Sequence, residues 1–278
     1  MTGPRVFVPG HVTGFFRSHP DPDPTRAGSQ GGGIALSDGV TVSVEPAEQV
    51  RVKLNGETIE MAAVERVLRT LEVTATVSAE TDLPLGSGFG VSGAMALGTA
   101  LATNAVFDRR LSTNELVTIA HGAEVEAGTG LGDVVAQARG GLTLRLEPGG
   151  PHHNNLDGIP GTERIEYVVL GSLSTSAVLD RETDALDQAG EVALSAVVRD
   201  PTVERFFRAS RTFARESALL TESVREVIAD VSAADGRAAM AMLGETVFAT
   251  GTGLSEAGYD PEVCRIDHAG ARLLADDG

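Results

Sequence analysis

The chain has 278 residues, 42% of them hydrophobic, and a net charge of −17 from 22 basic and 39 acidic side chains. That length suits one large or two modest domains of a soluble globular protein. The acid excess excludes nucleic acid and anionic membrane as partners, since both need a basic face, and no run of about 18 apolar residues offers a transmembrane helix.

The N-terminal residues run into a short apolar stretch that lacks the core and cleavage site of a secretory signal. Arg5 to Val8 reads as a strand ended by Pro9-Gly10. Ser18 to Gly33, rich in Pro, Asp and Gly, reads as loop, with Asp21-Pro22-Asp23-Pro24 as an acidic elaboration. Val40–Glu45 and Val50–Leu54 alternate as strands around Pro46. Thr58 to Leu71 sets Ala62, Val64, Val67 and Leu68 near one face of a helix, and Val73 to Ala79 alternates as a half-buried strand. Ser92 to Val106 reads as a helix of small residues. Ser112-Thr113-Asn114-Glu115 is a capping box that opens a helix to about Ala127. A second glycine-rich turn leads to a helix headed by Asp133, then to a strand over Gly140–Glu147. Glu147 to Pro151 reads as a linker between domains spanning 1–150 and 151–278, and His152-His153 at its end is too isolated for a metal site. Beyond it lie a strand at Arg164–Leu170 and helices over Thr183–Val198, Val203–Leu219, Glu222–Val231 and Gly236–Leu243. Strands and helices are interspersed without βαβ alternation, an α+β pattern.

Cys264 is the lone cysteine, so no intrachain disulfide forms and a reducing cytoplasm is the expected compartment. Lys53 is the lone lysine, and it lies on a strand entering a turn. A Walker phosphate loop requires Gly-Lys-Ser/Thr, so none exists here. Any nucleotide must be held by backbone amides, a helix N-terminus and arginine. The place for this is Pro84-Leu85-Gly86-Ser87-Gly88-Phe89-Gly90-Val91-Ser92-Gly93-Ala94, between a strand and a helix. Its glycines permit positive φ and close approach, and the helix start adds free N–H groups. The dinucleotide fingerprint is not met, because the third glycine is displaced and no parallel strand with an acidic end follows.

Pro-x-x-x-Gly-Phe-Gly-x-Ser-Gly-Ala resembles the ATP-binding motif of the GHMP kinases. Pro9-Gly10-His11-Val12-Thr13-Gly14-Phe15-Phe16 followed by Gly28-Ser29-Gln30-Gly31-Gly32-Gly33 resembles the archaeal pantoate-kinase branch of that family. The resemblance implies a two-domain α+β fold, with an ATP-binding N-terminal domain and a smaller C-terminal domain. It also implies phosphorylation of pantoate by ATP with Mg²⁺, on the archaeal route to coenzyme A. In this family a Ser of the loop and a Glu on the next helix share the Mg²⁺, positions matched by Ser92 and Glu124. The segment from Gly128 to Gln137 resembles the one that carries the catalytic Asp, here Asp133. Arg145 stands where an arginine holds the substrate carboxylate, with His11 and Ser29 as further substrate contacts. Mevalonate, shikimate or homoserine as substrate, and a non-catalytic nucleotide or metabolite sensor on the same fold, stay open.

The usual third glycine-rich motif is not evident; Thr250-Gly251-Thr252-Gly253 and Gly270-Ala271-Arg272 are the candidates. Low lysine with excess acid resembles proteins of salt-loving archaea, or reflects Arg-for-Lys replacement in a GC-rich genome. A monomer and a homodimer stay open.

Overall fold

β1 (Arg5–His19) and β2 (Gly28–Pro46) form an antiparallel hairpin, paired from Arg5↔Ser43 to His19↔Gly28, in the computed structural model, which describes residues 3–171 and 184–275. Pro9-Gly10 therefore does not end the first strand. It sits at a register shift, where the ladder is already interrupted and a missing N–H costs little. Gly28–Gly33 likewise lies in β2 and not in a loop. Its glycines answer to packing: a Cβ on Gly33 would fall 2.3 Å from His11 Nε2.

The other edge of β2 forks. Gly31–Ile34 pairs with β6 (Leu142–Glu147), which carries β7 (Asn155–Ile159), while Thr41–Pro46 pairs with β5 (Ala75–Glu80). β5 pairs in parallel with β3 (Arg51–Leu54), and β3 turns through Asn55-Gly56 into β4 (Glu57–Ile59). Both turn residues have positive φ, as a tight Asn-Gly hairpin requires. That hairpin consumes Glu57–Ile59, so α1 (Ala62–Thr70) starts later than the expected helix from Thr58.

α1 packs with α2 (Val91–Val106) and α3 (Thr113–Ala127), and α2 lies on β1 and β2. α2 is buried on nearly every side, which its small residues make possible. The capping box forms as expected, with the Glu115 carboxylate accepting from Ser112 N at 2.7 Å. α4 (Asp133–Arg139) follows a glycine-rich turn and packs against α2, α3 and β1.

A second, antiparallel sheet has the order β11 (Glu262–Arg265), β8 (Arg164–Gly171), β10 (Glu245–Thr250), β9 (Ala238–Ala241). The helix expected over Gly236–Leu243 is thus a strand and a turn. Ala-Ala-Met-Ala is buried at every position, and periodicity cannot separate helix from strand in so short an apolar run. α5 (Asp184–Arg199) and α6 (Val203–Glu216) pack on β1, and α7 (Glu222–Ala233) packs on β9 and β10. α8 (Gly253–Glu256) is a short turn of helix against β8.

Most of the chain's few aromatics gather where β1, α6 and β10 meet. Phe15–Phe206, Phe16–Phe213 and Phe207–Phe248 have ring centroids 5.7, 5.6 and 5.2 Å apart, a seam that joins the two sheets. Chain beyond residue 150 also returns to the first sheet, as β7 and as β12 (Arg272–Leu273) beside β1. No helix among the described residues is long and apolar enough to cross a membrane.

Candidate active site

Between β5 and α2 the chain turns through Gly86, Gly88 and Gly90, at φ of 79°, 87° and 62°. These left-handed conformations suit glycine, and the loop lines a cavity of about 290 Å³. Gly90 is the N-cap of α2 and provides no side-chain cap. The first-turn amides stay available to an anion, and the Ser92 hydroxyl is free for other work.

The loop is fixed from below and from the side. Phe89 is buried edge-on against Tyr167, with ring centroids 4.9 Å apart. Gln137, on α4, donates from Nε2 to Gly90 O at 2.9 Å. From the second sheet the β9–β10 turn presses on the loop: Thr246 Oγ1 donates to Ser87 O at 2.7 Å, and a Cβ on Gly244 would lie 2.2 Å from Ser87 O. Met242 and Leu243 of that turn line the cavity. Neither glycine-rich candidate for a third phosphate-contacting segment takes this place. Gly251 bonds Arg164 O, and Gly270 packs under Ala138 and Arg139.

Ser92 and Glu124 meet as the sequence expects. Ser92 Oγ donates to Glu124 Oε1 at 2.5 Å, and Thr129 Oγ1 donates to the same oxygen at 2.9 Å. Glu124 is 2% exposed, and burial raises its pKa to about 7 against the help of both hydroxyls, with Asp133 adding repulsion. No positive side chain among the described residues bonds to it. A buried carboxylate beside a hydroxyl is a fitting donor pair for a hard divalent cation. Among the described residues no three His, Cys, Asp or Glu side chains converge. A cation here must therefore complete its shell from phosphate oxygens and water, as Mg²⁺ does.

Asp133 opens α4 on the same cavity wall. Its Oδ1 is held by His11 Nδ1 at 2.7 Å and by Thr13 Oγ1 at 3.4 Å. Burial pushes this carboxyl up. The His11 hydrogen bond, the Arg145 charge and Thr13 outweigh burial, and the pKa falls below the ordinary carboxylate value. Arg145 is buried on β6, donates from Nε to Ser29 O at 3.3 Å, and keeps Nη1 without a partner. Burial lowers its pKa and Asp133 opposes the shift. A buried guanidinium nitrogen left unpaired is costly unless an anion meets it, and Arg145 is among the residues that line the cavity.

Gly86, Gly88, Phe89, Gly90, Val91, Ser92 and Gly93 of the loop line the cavity, together with Ser29, Glu124, Asp133 and Arg145. Pro84, Ser87 and Ala94 do not, and neither does His11, which stands behind Asp133 because its ring lies over Gly33. Thr13, Thr129 and Gln137 went unread in the sequence. Thr13 falls two residues after His11, the spacing that puts both on one face of a strand. Gln137 falls one turn after Asp133 on a helix.

Residues 58–141 match the family model of the GHMP kinases N terminal domain. The chain is 34% identical to a pantoate kinase of Methanospirillum hungatei over 261 residues, 90% of this chain and 88% of the other. It is also 34% identical to a pantoate kinase of Thermococcus kodakarensis, over 88% of this chain and 86% of that one. A solved phosphotransferase related to the CoA biosynthesis pathway superposes with a TM-score of 0.88 at 29% identity, covering 99% of both chains.

Proposed function

The chain belongs to the pantoate kinases, within the GHMP kinases, and we propose that its cavity transfers the γ-phosphoryl group of ATP to the 4-hydroxyl of (R)-pantoate. The observation that carries this reading is Arg145. Arg145, whose Nη1 has no partner among the described residues, lines the same cavity as Asp133 and the Gly86–Gly90 loop. A carboxylated alcohol placed there meets the guanidinium at its acid end. Its hydroxyl then falls to Asp133, which is ionised at neutral pH and accepts or orients the hydroxyl proton. The loop amides and the start of α2 hold the polyphosphate without a lysine. Ser29, bonded through its backbone oxygen to Arg145, completes the acid-binding end.

Ser92 and Glu124 would hold Mg²⁺, which when bound offsets the phosphate charge during transfer. We read the acidic, lysine-poor surface as an adaptation to concentrated salt and the compartment as cytoplasmic. The assay therefore belongs in high KCl as well as in dilute buffer.

ADP release is measured with ATP, Mg²⁺ and a panel of pantoate, homoserine, mevalonate and shikimate. Pantoate-dependent release is expected. Turnover of another alcohol with none on pantoate sinks the substrate, and nucleotide binding without turnover on any of them favours a sensor.

A further inference from the structure

His11 resembles a substrate contact in sequence, yet its geometry gives it other work. The side chain is fully buried on β1, just after the register shift at Pro9/Gly10, and its backbone N–H donates to Phe89 O of the phosphate loop at 2.9 Å. Its Nδ1 meets Asp133 Oδ1 at 2.7 Å. Its Nε2 is buried over Gly33 and has no hydrogen-bond partner among the described residues.

These contacts assign the tautomer. A proton on Nε2 would be buried without an acceptor, whereas Nδ1 faces a carboxylate. The ring therefore carries its one proton on Nδ1, and Nδ1–H donates to Asp133 Oδ1. Burial, which lowers the His11 pKa, favours the same neutral form. Both hydrogen bonds to Asp133 end on Oδ1, from His11 and from Thr13. Oδ2 is left on the side of Gly130, which lines the cavity, where a Cβ on that glycine would lie 3.5 Å away.

We propose that His11 is a positioning residue for the base: Nδ1–H donating to Oδ1 holds the Asp133 carboxylate so that Oδ2 faces the substrate hydroxyl. The ring does not touch substrate and exchanges no proton during turnover. It also ties the carboxylate to the loop, since one residue bonds Asp133 by its ring and Phe89 by its backbone. The inference rests on Asp133 acting as base, and on no particular alcohol.

The test separates donor position from bulk. In His11→Asn the side-chain amide nitrogen sits near the place of Nδ1, whereas in His11→Gln it reaches toward the place of Nε2. The full chain and its variants are assayed for ADP release with ATP, Mg²⁺ and pantoate, or whichever alcohol the protein accepts. His11→Gln and His11→Leu should lower kcat by about 10²-fold while the KM of the alcohol stays within a few-fold. His11→Asn should recover most of that loss. Equal kcat for Asn and Gln overturns the proposal, and so does a rise in KM with kcat preserved, which makes His11 a substrate contact. If the Leu variant does not fold, the Asn–Gln pair still decides. Asp133→Asn run alongside keeps the two ideas apart: full activity there removes the base, whereas its loss with equal Asn and Gln rates removes only the positioning.

Discussion

Glu124 and Asp133 reach one cavity from successive helices, the first buried and the second half-buried, and desolvation governs the first yet is outweighed at the second. Burial raises the Glu124 pKa to about 7, since only two hydroxyls and no positive neighbour among the described residues oppose it. Asp133 has an imidazole N–H, a guanidinium nearby and a threonine hydroxyl, so its pKa falls below the ordinary value. The lesson is that desolvation alone does not set the charge of a carboxylate; the fixed dipoles and charges around it weigh against it. It also sorts the roles. A carboxylate held ionised suits proton acceptance, and one left uncompensated suits a cation that arrives with the nucleotide.

The largest way to break this comparison is Asp133→Asn. The amide keeps the shape and cannot accept the proton, so kcat should fall by about 10²- to 10⁴-fold. Initial rates of ADP release at saturating substrate check this. An unchanged rate ends the assignment.

Glu124→Gln tests the other member through stability. For Glu124 the folded pKa is raised, so the folded state binds the extra proton between the unfolded value of about 4.5 and the folded value of about 7. Its contribution is full below that window and is lost as pH rises through about 7. The cost is on the order of 3 kcal/mol at higher pH. Glu124→Gln should remove that decline, and metal-free urea unfolding from pH 4 to 8 would reveal it. Mg²⁺ with nucleotide should stabilise the parent chain above pH 7 and the variant far less. Asp133 has the opposite sign: its lowered pKa stabilises the fold above the ordinary carboxylate range, and this is lost as pH falls through the folded value.

Arg145→Met removes the positive charge beside Asp133 and the donor of the proposed acid-binding end. The KM for pantoate should rise by about 10- to 100-fold, the worth of a hydrogen bond to a charged group. The acid limb of kcat/KM should move to higher pH, because Asp133 loses a charge that holds it ionised. A rise in KM with an unmoved acid limb would separate Arg145 from the base and weaken the contrast.

Much of this site is legible in the sequence, because its parts are local. The glycine spacing from Gly86 to Gly90, the capped helix that bears Glu124 and the turn before Asp133 are each short motifs whose geometry follows from neighbouring residues. What the sequence conceals is long-range. Glycines at 28–33 read as loop because local propensity cannot foresee that Phe15, Phe16 and His11 must lie against Gly31, Gly32 and Gly33. Ala238–Ala241 reads as helix because its partner strand is what makes it β9. The turn after it, Met242-Leu243-Gly244, reaches the Gly86–Gly90 loop only through the second sheet. The buried pairing of His11 with Asp133 spans 122 residues, and no local pattern marks it.

Thr13→Val probes the weakest of the groups that set the two carboxylates apart. Its hydroxyl stands 3.4 Å from Asp133 Oδ1, near the long limit of a hydrogen bond, while His11 holds the same oxygen at 2.7 Å. Valine keeps the branched shape on β1 and removes only the donor. The loss should be about 0.5–1 kcal/mol, read as a two- to five-fold lower kcat/KM. The acid limb should move slightly upward, since one stabiliser of the ionised form is gone. Glu124 lies outside this hydrogen bond, so the stability decline between pH 4.5 and 7 should persist in Thr13→Val. A variant that loses that decline as well would mean the two carboxylates titrate as one coupled unit, and the contrast between them would then belong to the pair.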